Sequence, residues 1–173
     1  MRSVTVIQGD YATSCDSEVQ MNTILGSCVA VCLYDRVAGV GGMNHYLLPG
    51  DTRAANGTAR YGVHLMELMI NALLKNGARR SNFEAKLFGG AHVTVTGSFE
   101  NIGDRNVRFG RDFLSREGIP IRGESVGGAA ARRLRFIPTT GEVRQMLVPI
   151  QQAPPVTPAP PKPAAPAPDI TLF

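Results

Sequence analysis

The sequence has no tryptophan, and phenylalanine and tyrosine together supply only 6% of its residues. Its core must therefore be built from Val, Ile, Leu, Met and Ala. No run reaches the roughly 18–20 apolar residues that cross a bilayer as a helix, so membrane insertion is not expected. The opening Met1–Asp16 has one arginine but neither a long apolar run nor a clear cleavage site, unlike a secretory signal. Cysteine is scarce and odd in number (Cys15, Cys28, Cys32), which does not suggest a disulfide framework. Reduced thiols in the cytoplasm are the simplest expectation. Charge is modest at +4. The basic residues are dispersed apart from Arg132, Arg133 and Arg135, without the dense stripe and interleaved aromatics of a nucleic-acid binder. Those arginines read as a solvated face or a patch for an acidic protein partner. Phosphate loops, dinucleotide fingerprints and zincin helices are also missing.

What is present falls into two parts. At 173 residues the chain suits one globular domain. Composition then changes sharply near Gln152: half of residues 153–168 are proline. Proline fixes φ and lacks an N–H, so such a stretch joins neither helix nor sheet and is expected to be an extended, disordered tether. It ends in the short apolar tag Asp169-Ile-Thr-Leu-Phe173. The expected division is a folded domain over residues 1–150 and a Pro/Ala-rich tail over 151–173.

Within the domain, Ser3–Ile7 and Val19–Thr23 carry strand patterns. Val29–Tyr34 is a continuous apolar run of strand length. With a turn at Arg36–Gly39 and a return over Val40–Leu48, it predicts a hairpin. Tyr61, Leu65, Leu68, Met69, Ala72 and Leu73 recur at helical spacing, predicting a helix over Tyr61–Lys75 closed by Gly77. A second helix is predicted over Asp104–Arg116, closed by Gly118. Strands are predicted at Glu84–Phe88, Ile119–Val126, Arg132–Ile137 and Glu142–Val148. Strands and helices do not alternate strictly, which favours a single α+β domain with mixed sheets over a doubly wound fold.

The chemistry concentrates around Cys28. A cysteine nucleophile needs an accessible sulfur, a base within reach and donors for an oxyanion. Gly26 and Ser27 before Cys28 leave the backbone close and its amides free to serve as those donors. In the predicted hairpin, residue 28 lies opposite about residue 47, so Cys28 and His45 become cross-strand or diagonal neighbours. A nearby imidazole would lower the thiol pKa below about 8.5. Most free cysteines are simply buried packing; that reading is kept for Cys32 and Cys15, and His64 and His92 are read as structural. Cys28, Cys32 and His45 also form a partial zinc pattern, but it lacks a fourth ligand. No metal or cofactor is expected.

The segments Leu25-Gly-Ser-Cys-Val-Ala-Val-Cys-Leu-Tyr-Asp35 and Gly42-Met-Asn-His-Tyr-Leu-Leu-Pro49 resemble the chemoreceptor glutamine deamidase family, CheD. The likeness continues through Lys86-Leu-Phe-Gly-Gly-Ala91, Ile102-Gly-Asp-Arg-Asn-Val107, Gly118-Ile-Pro, Gly123-Glu-Ser-Val-Gly-Gly128, Arg132-Arg-Leu-Arg-Phe136 and Thr140-Gly141. The resemblance implies hydrolysis of glutamine side chains to glutamate on methyl-accepting chemotaxis receptors through a cysteine thioester, with glutamyl methyl esters as a possible side substrate. It implies a fold like that of deamidating toxins, with sheets layered against helices. It carries the family's Cys onto Cys28 and its His onto His45. Its Thr falls on Thr23, although in some members that Thr stands six residues before the Cys, where Asn22 stands here. The resemblance also offers an alternative: a docking partner of a CheC-type receptor-signalling phosphatase, with little catalysis.

Overall fold

A computed structural model of the protein describes residues 1–49, 55–92 and 101–149; the tail expected over 151–173 lies outside them. The nine strands of the described residues are β1 (Arg2–Thr5), β2 (Tyr11–Ser14), β3 (Val19–Leu25), β4 (Val29–Asp35), β5 (Val40–Asn44), β6 (Glu84–Gly89), β7 (Ile121–Val126), β8 (Ala131–Ile137) and β9 (Glu142–Val148). Two helices, α1 (Ala55–Lys75) and α2 (Ile102–Arg116), complete the expected α+β domain. The strands form two mixed sheets, one of four strands ordered β1-β3-β8-β9 and one of five ordered β2-β5-β4-β6-β7. The pairs β1–β3 and β6–β7 are parallel.

The five-stranded sheet is the middle layer. Val29, Val31 and Leu33 of β4 pack with Leu65, Met69 and Leu73 of α1 and Val107 and Leu114 of α2. The opposite face of β4, with Ala30, Cys32 and Tyr34, packs together with the preceding Cys28 against Met21, Leu25, Leu134 and Phe136 of the four-stranded sheet. Covered on both sides, β4 is buried at every residue. That is why its sequence reads as an unbroken apolar run instead of an alternating one. In β3 only alternate residues are buried (Val19, Met21, Thr23, Leu25), because its other face meets solvent.

The hairpin forms in the expected register: Cys32 pairs with Met43 and Asp35 with Val40. Its turn is held by Asp35, whose carboxylate accepts from the backbone of Val37, Ala38 and Arg79 at 2.9 Å each and from Asn82. Burial raises the Asp35 pKa, but these donors outweigh it and hold the carboxyl below its ordinary value. Each helix ends as its glycine implies. Ala78 N–H donates to Leu73 C=O and Gly77 N–H to Leu74 C=O, with the matching pair at Ile119–Leu114 and Gly118–Ser115.

Several expectations shift. The return strand stops at Asn44 rather than running to Leu48; a single bridge, Val29 to Tyr46, resumes the pairing. β2 was not expected, since its four half-buried residues show no period. α1 starts at Ala55 and α2 at Ile102, earlier than the apolar spacing indicates. Arg132 does not join the outward arginines: it is 5% exposed and donates to Ser125 Oγ and to the carbonyls of Gly127 and Ala130. Its neighbours Arg133 and Arg135 do face solvent, because alternate residues of a strand point to opposite faces.

Candidate active site

Gly26 and Ser27 form the bend that carries the chain from β3 in one sheet to β4 in the other, and Cys28 stands immediately before β4. Three carbonyls of this bend are tied down. Gly26 C=O accepts from Ala91 N–H at 2.9 Å, Cys28 C=O from Gly90 N–H at 2.8 Å, and Ser27 C=O from the Asn106 side chain at 2.8 Å. The close approach depends on Gly89, which has φ +110; a Cβ there would overlap the Cys28 carbonyl. Asn106 is itself fixed by accepting from Leu48 N–H, while its carbonyl accepts from the Tyr46 hydroxyl. The nucleophile candidate thus sits on a braced loop between the sheets.

His45 lies at the break after β5. Its N–H donates to Asp10 C=O at 3.0 Å, and its C=O accepts from Gly9 N–H at 2.8 Å. Two residues of one strand therefore oppose one of the other, a bulge that re-aims a side chain. Gly9 has φ +88 and stands third in the turn Ile7–Asp10, which closes through Asp10 N–H to Ile7 C=O. Since Val29 bridges Tyr46, Cys28 and His45 lie diagonally across that pair. They share the face that packs on the four-stranded sheet.

From that opposite sheet, Thr23 reaches across. Its Oγ1 lies 2.9 Å from His45 Nδ1 and donates to Val6 C=O at 2.8 Å. Val6 C=O is also 3.4 Å from Nδ1. A carbonyl only accepts and a hydroxyl has one proton, so the network is satisfied when Nδ1 carries the imidazole proton and donates to Thr23. Nε2 is then left with its lone pair. That atom is buried and has no hydrogen-bond partner among the described residues. Asn22, the neighbouring position, instead points outward to Ser3 Oγ and accepts from Gln20.

Burial favours the uncharged form of both candidate groups. Burial pushes the Cys28 thiol up to about 11, against a smaller lowering by its own backbone N–H. Burial likewise holds the His45 imidazole below its ordinary value, against the Val6 carbonyl. The expectation of a thiol drawn below 8.5 is therefore overturned. Cys28 is only 2% exposed, and its side-chain partner is not His45 but Gln8, whose Oε1 accepts from Sγ at 3.5 Å. Tyr61 of α1 overhangs the same corner: burial raises its phenol, and the Asp10 carboxylate, with Cys28 once ionised, adds to this.

The chain matches the model of the family described as CheD chemotactic sensory transduction over residues 47–146. A protein of Agrobacterium fabrum named probable chemoreceptor glutamine deamidase CheD is 54% identical over 145 residues, 83% of this chain and 79% of that one. The chain belongs to the CheD family. A Sinorhizobium medicae relative of the same name is 49% identical over 170 residues, 96% of this chain and 92% of its own. Among solved structures, a hypothetical protein of Bacillus licheniformis aligns at a TM-score of 0.47 and 16% identity, covering 67% of this chain and 50% of that one.

Other residues of this CheD-family chain stand apart from the site. Cys32 is buried in β4, where desolvation raises its thiol strongly. Cys15 is exposed, and His92 pairs with Asp104 at the surface. Among the described residues no group of three His, Cys, Asp or Glu side chains is placed to hold a metal ion. Sequence reasoning missed Gln8 and Asn106. Asn106 does leave a trace: it shares the buried stripe of α2 with Gly103, Val107, Gly110, Phe113 and Leu114, where an amide is out of place unless it holds something.

Proposed function

We propose that this chain hydrolyses glutamine side-chain amides on chemoreceptors, with Cys28 as nucleophile and His45 as base and acid. The observation that carries the reading is the unpartnered His45 Nε2, kept as a lone pair by Thr23 on the face that also holds Cys28. The relatives' name supplies the substrate class: chemoreceptor glutamines. The cytoplasm, where receptor signalling domains lie, is the compartment that fits.

The chemistry proceeds from the neutral pair. Sγ turns from Gln8 toward His45, and Nε2 takes its proton as the sulfur attacks the amide carbon of the substrate. The oxyanion is met by backbone N–H groups of the Gly26–Cys28 bend, Cys28 N–H being the one that already lies against the sulfur. The imidazolium is supported at Nδ1 by Thr23 Oγ1 and Val6 C=O. It protonates the departing nitrogen, which leaves as ammonia. His45 then draws a proton from water, the water opens the thioester, and glutamate is released with the thiol restored. The same acyl chemistry extends to glutamyl methyl esters. Docking to a CheC-type phosphatase without catalysis would give no use for a buried imidazole nitrogen that has no partner among the described residues. Ammonia release from a purified receptor cytoplasmic fragment tests the reading: wild type should release it, and an enzyme that releases none on any receptor fragment would refute it.

A further inference from the structure

The side-chain contact on the sulfur comes from Gln8, which is half-buried beside it. Gln8 is not loosely placed. It stands second in the Ile7–Asp10 turn, and that turn is bonded on both sides to the His45 backbone. The turn therefore fixes two things at once, the base and an amide group at the nucleophile.

An amide offers opposite polarities at its two ends. While the thiol keeps its proton, the Gln8 carbonyl oxygen is the matching end, and that is the end now facing Sγ. Once the sulfur has attacked, negative charge develops on the substrate oxygen next to it. Half a rotation about the last side-chain bond of Gln8 then presents Nε2–H to the same region. The second donor is in place: the Cys28 N–H lies against its own sulfur. One backbone N–H at the attacking atom and one carboxamide that can turn its N–H towards it are the elements of an oxyanion site.

We infer that Gln8 is a catalytic residue, adding a side-chain N–H to the backbone donors of the Gly26–Cys28 bend, Cys28 N–H first among them, that hold the tetrahedral oxyanion. The inference rests on the hydrolytic role proposed for Cys28. No atom beyond those of the hydrolysis is needed: Gln8 donates a hydrogen bond, keeps its proton, and returns to the thiol when the acyl group has left.

The test compares wild type with Gln8→Ala and Gln8→Glu. The substrate is a receptor cytoplasmic fragment. The probe is a short peptide with an aldehyde in place of the side-chain carboxamide, which adds to the thiol and creates the same oxygen. Gln8→Ala should lower kcat about 10²–10³-fold, as loss of one oxyanion donor does. KM should change little, and aldehyde affinity should weaken in step with kcat. Gln8→Glu, which accepts but does not donate at neutral pH, should be at least as slow. Circular dichroism and melting of each variant should match wild type. A Gln8→Ala enzyme as fast as wild type, or faster, would overturn the inference, since the amide would then be idle or merely in the way. Slow turnover with aldehyde affinity unchanged would also overturn it, because a positional role would then explain the loss. If wild type releases no ammonia at all, the hydrolytic reading fails, while the difference in aldehyde affinity still judges the Gln8 contact.

Discussion

Thr23 Oγ1 and His45 Nδ1 lie 2.9 Å apart, although they belong to different sheets. The contact spans the sheet–sheet interface and joins a hydroxyl on β3 to an imidazole beyond β5. Its effect is chemical as much as structural: it puts the imidazole proton on Nδ1, so that Nε2 is the basic atom.

Thr23→Val keeps the volume and β-branching of a residue that is 4% exposed but removes the acceptor for Nδ1–H. Fixing of the tautomer is lost, and kcat should fall about 10–100-fold, as it does when the partner orienting a functional histidine is removed. Thr23→Ser retains the hydroxyl and should recover most of the rate. Steady-state ammonia release from the two variants checks this. Equal losses in both would point to packing rather than to the hydrogen bond.

The pH dependence follows from two shifts of opposite sign. His45 in the folded chain gives up its proton more readily than in the unfolded chain, so the unfolded state binds more protons below about 6.5. Stability should decline as pH falls through that value, and activity should fall as the base is protonated. Cys28 is the reverse: its thiol ionises near 9.0 when unfolded and about 11 when folded. Stability should therefore be lost as pH rises from 9.0 towards 11. Chemical denaturation across pH should show both limbs. Cys28→Ala should reduce the alkaline loss without removing it, because Cys32 is shifted in the same direction. An alkaline limb identical in Cys28→Ala and wild type would contradict the burial assigned to this thiol.

The parts of the fold legible in sequence were those governed by local chemistry. The apolar run of β4 with the Arg36–Gly39 turn sets the hairpin register, and that register places Cys28 and His45 as diagonal neighbours. Gly77 and Gly118 end their helices where the apolar spacing stops. The partition of strands between two sheets was not legible, because β1–β3 and β6–β7 pair in parallel across long stretches of chain. Nor was the bulge at His45, which depends on the turn at Gly9. The resting state of the thiol was misjudged for a related reason: proximity of an imidazole can be read from spacing, whereas desolvation depends on both layers that cover β4. Gln8 gave no signal in a polar turn.

Gly89→Ala should damage the site through backbone alone. The added Cβ would overlap the Cys28 carbonyl, and φ +110 strains any side chain. Activity should drop with the melting temperature. Gly123→Ala serves as control, since its Cβ would meet only the Lys86 side chain at 3.8 Å, an ordinary contact. Thermal melts and ammonia release on both variants test the brace on the Cys28 loop; a fully active, fully stable Gly89→Ala would show the brace to be dispensable.

Cys32→Ser places a hydroxyl in a fully buried apolar position and should cost about 1–3 kcal/mol in denaturant unfolding, with activity retained in the folded fraction. An inactive but equally stable Cys32→Ser would assign this thiol a role in the reaction.

The central claim is that Cys28 converts receptor glutamines to glutamates by forming and hydrolysing a thioester. The most direct measurement is the intact mass of a receptor cytoplasmic fragment before and after incubation with wild type, Cys28→Ser and His45→Ala. Wild type should add the small mass increment of amide-to-acid conversion at defined glutamines. Cys28→Ser should leave the fragment unchanged, and His45→Ala should slow conversion by about 10²–10⁴-fold, as loss of a general acid–base group does. Conversion by Cys28→Ser at the wild-type rate would contradict the account.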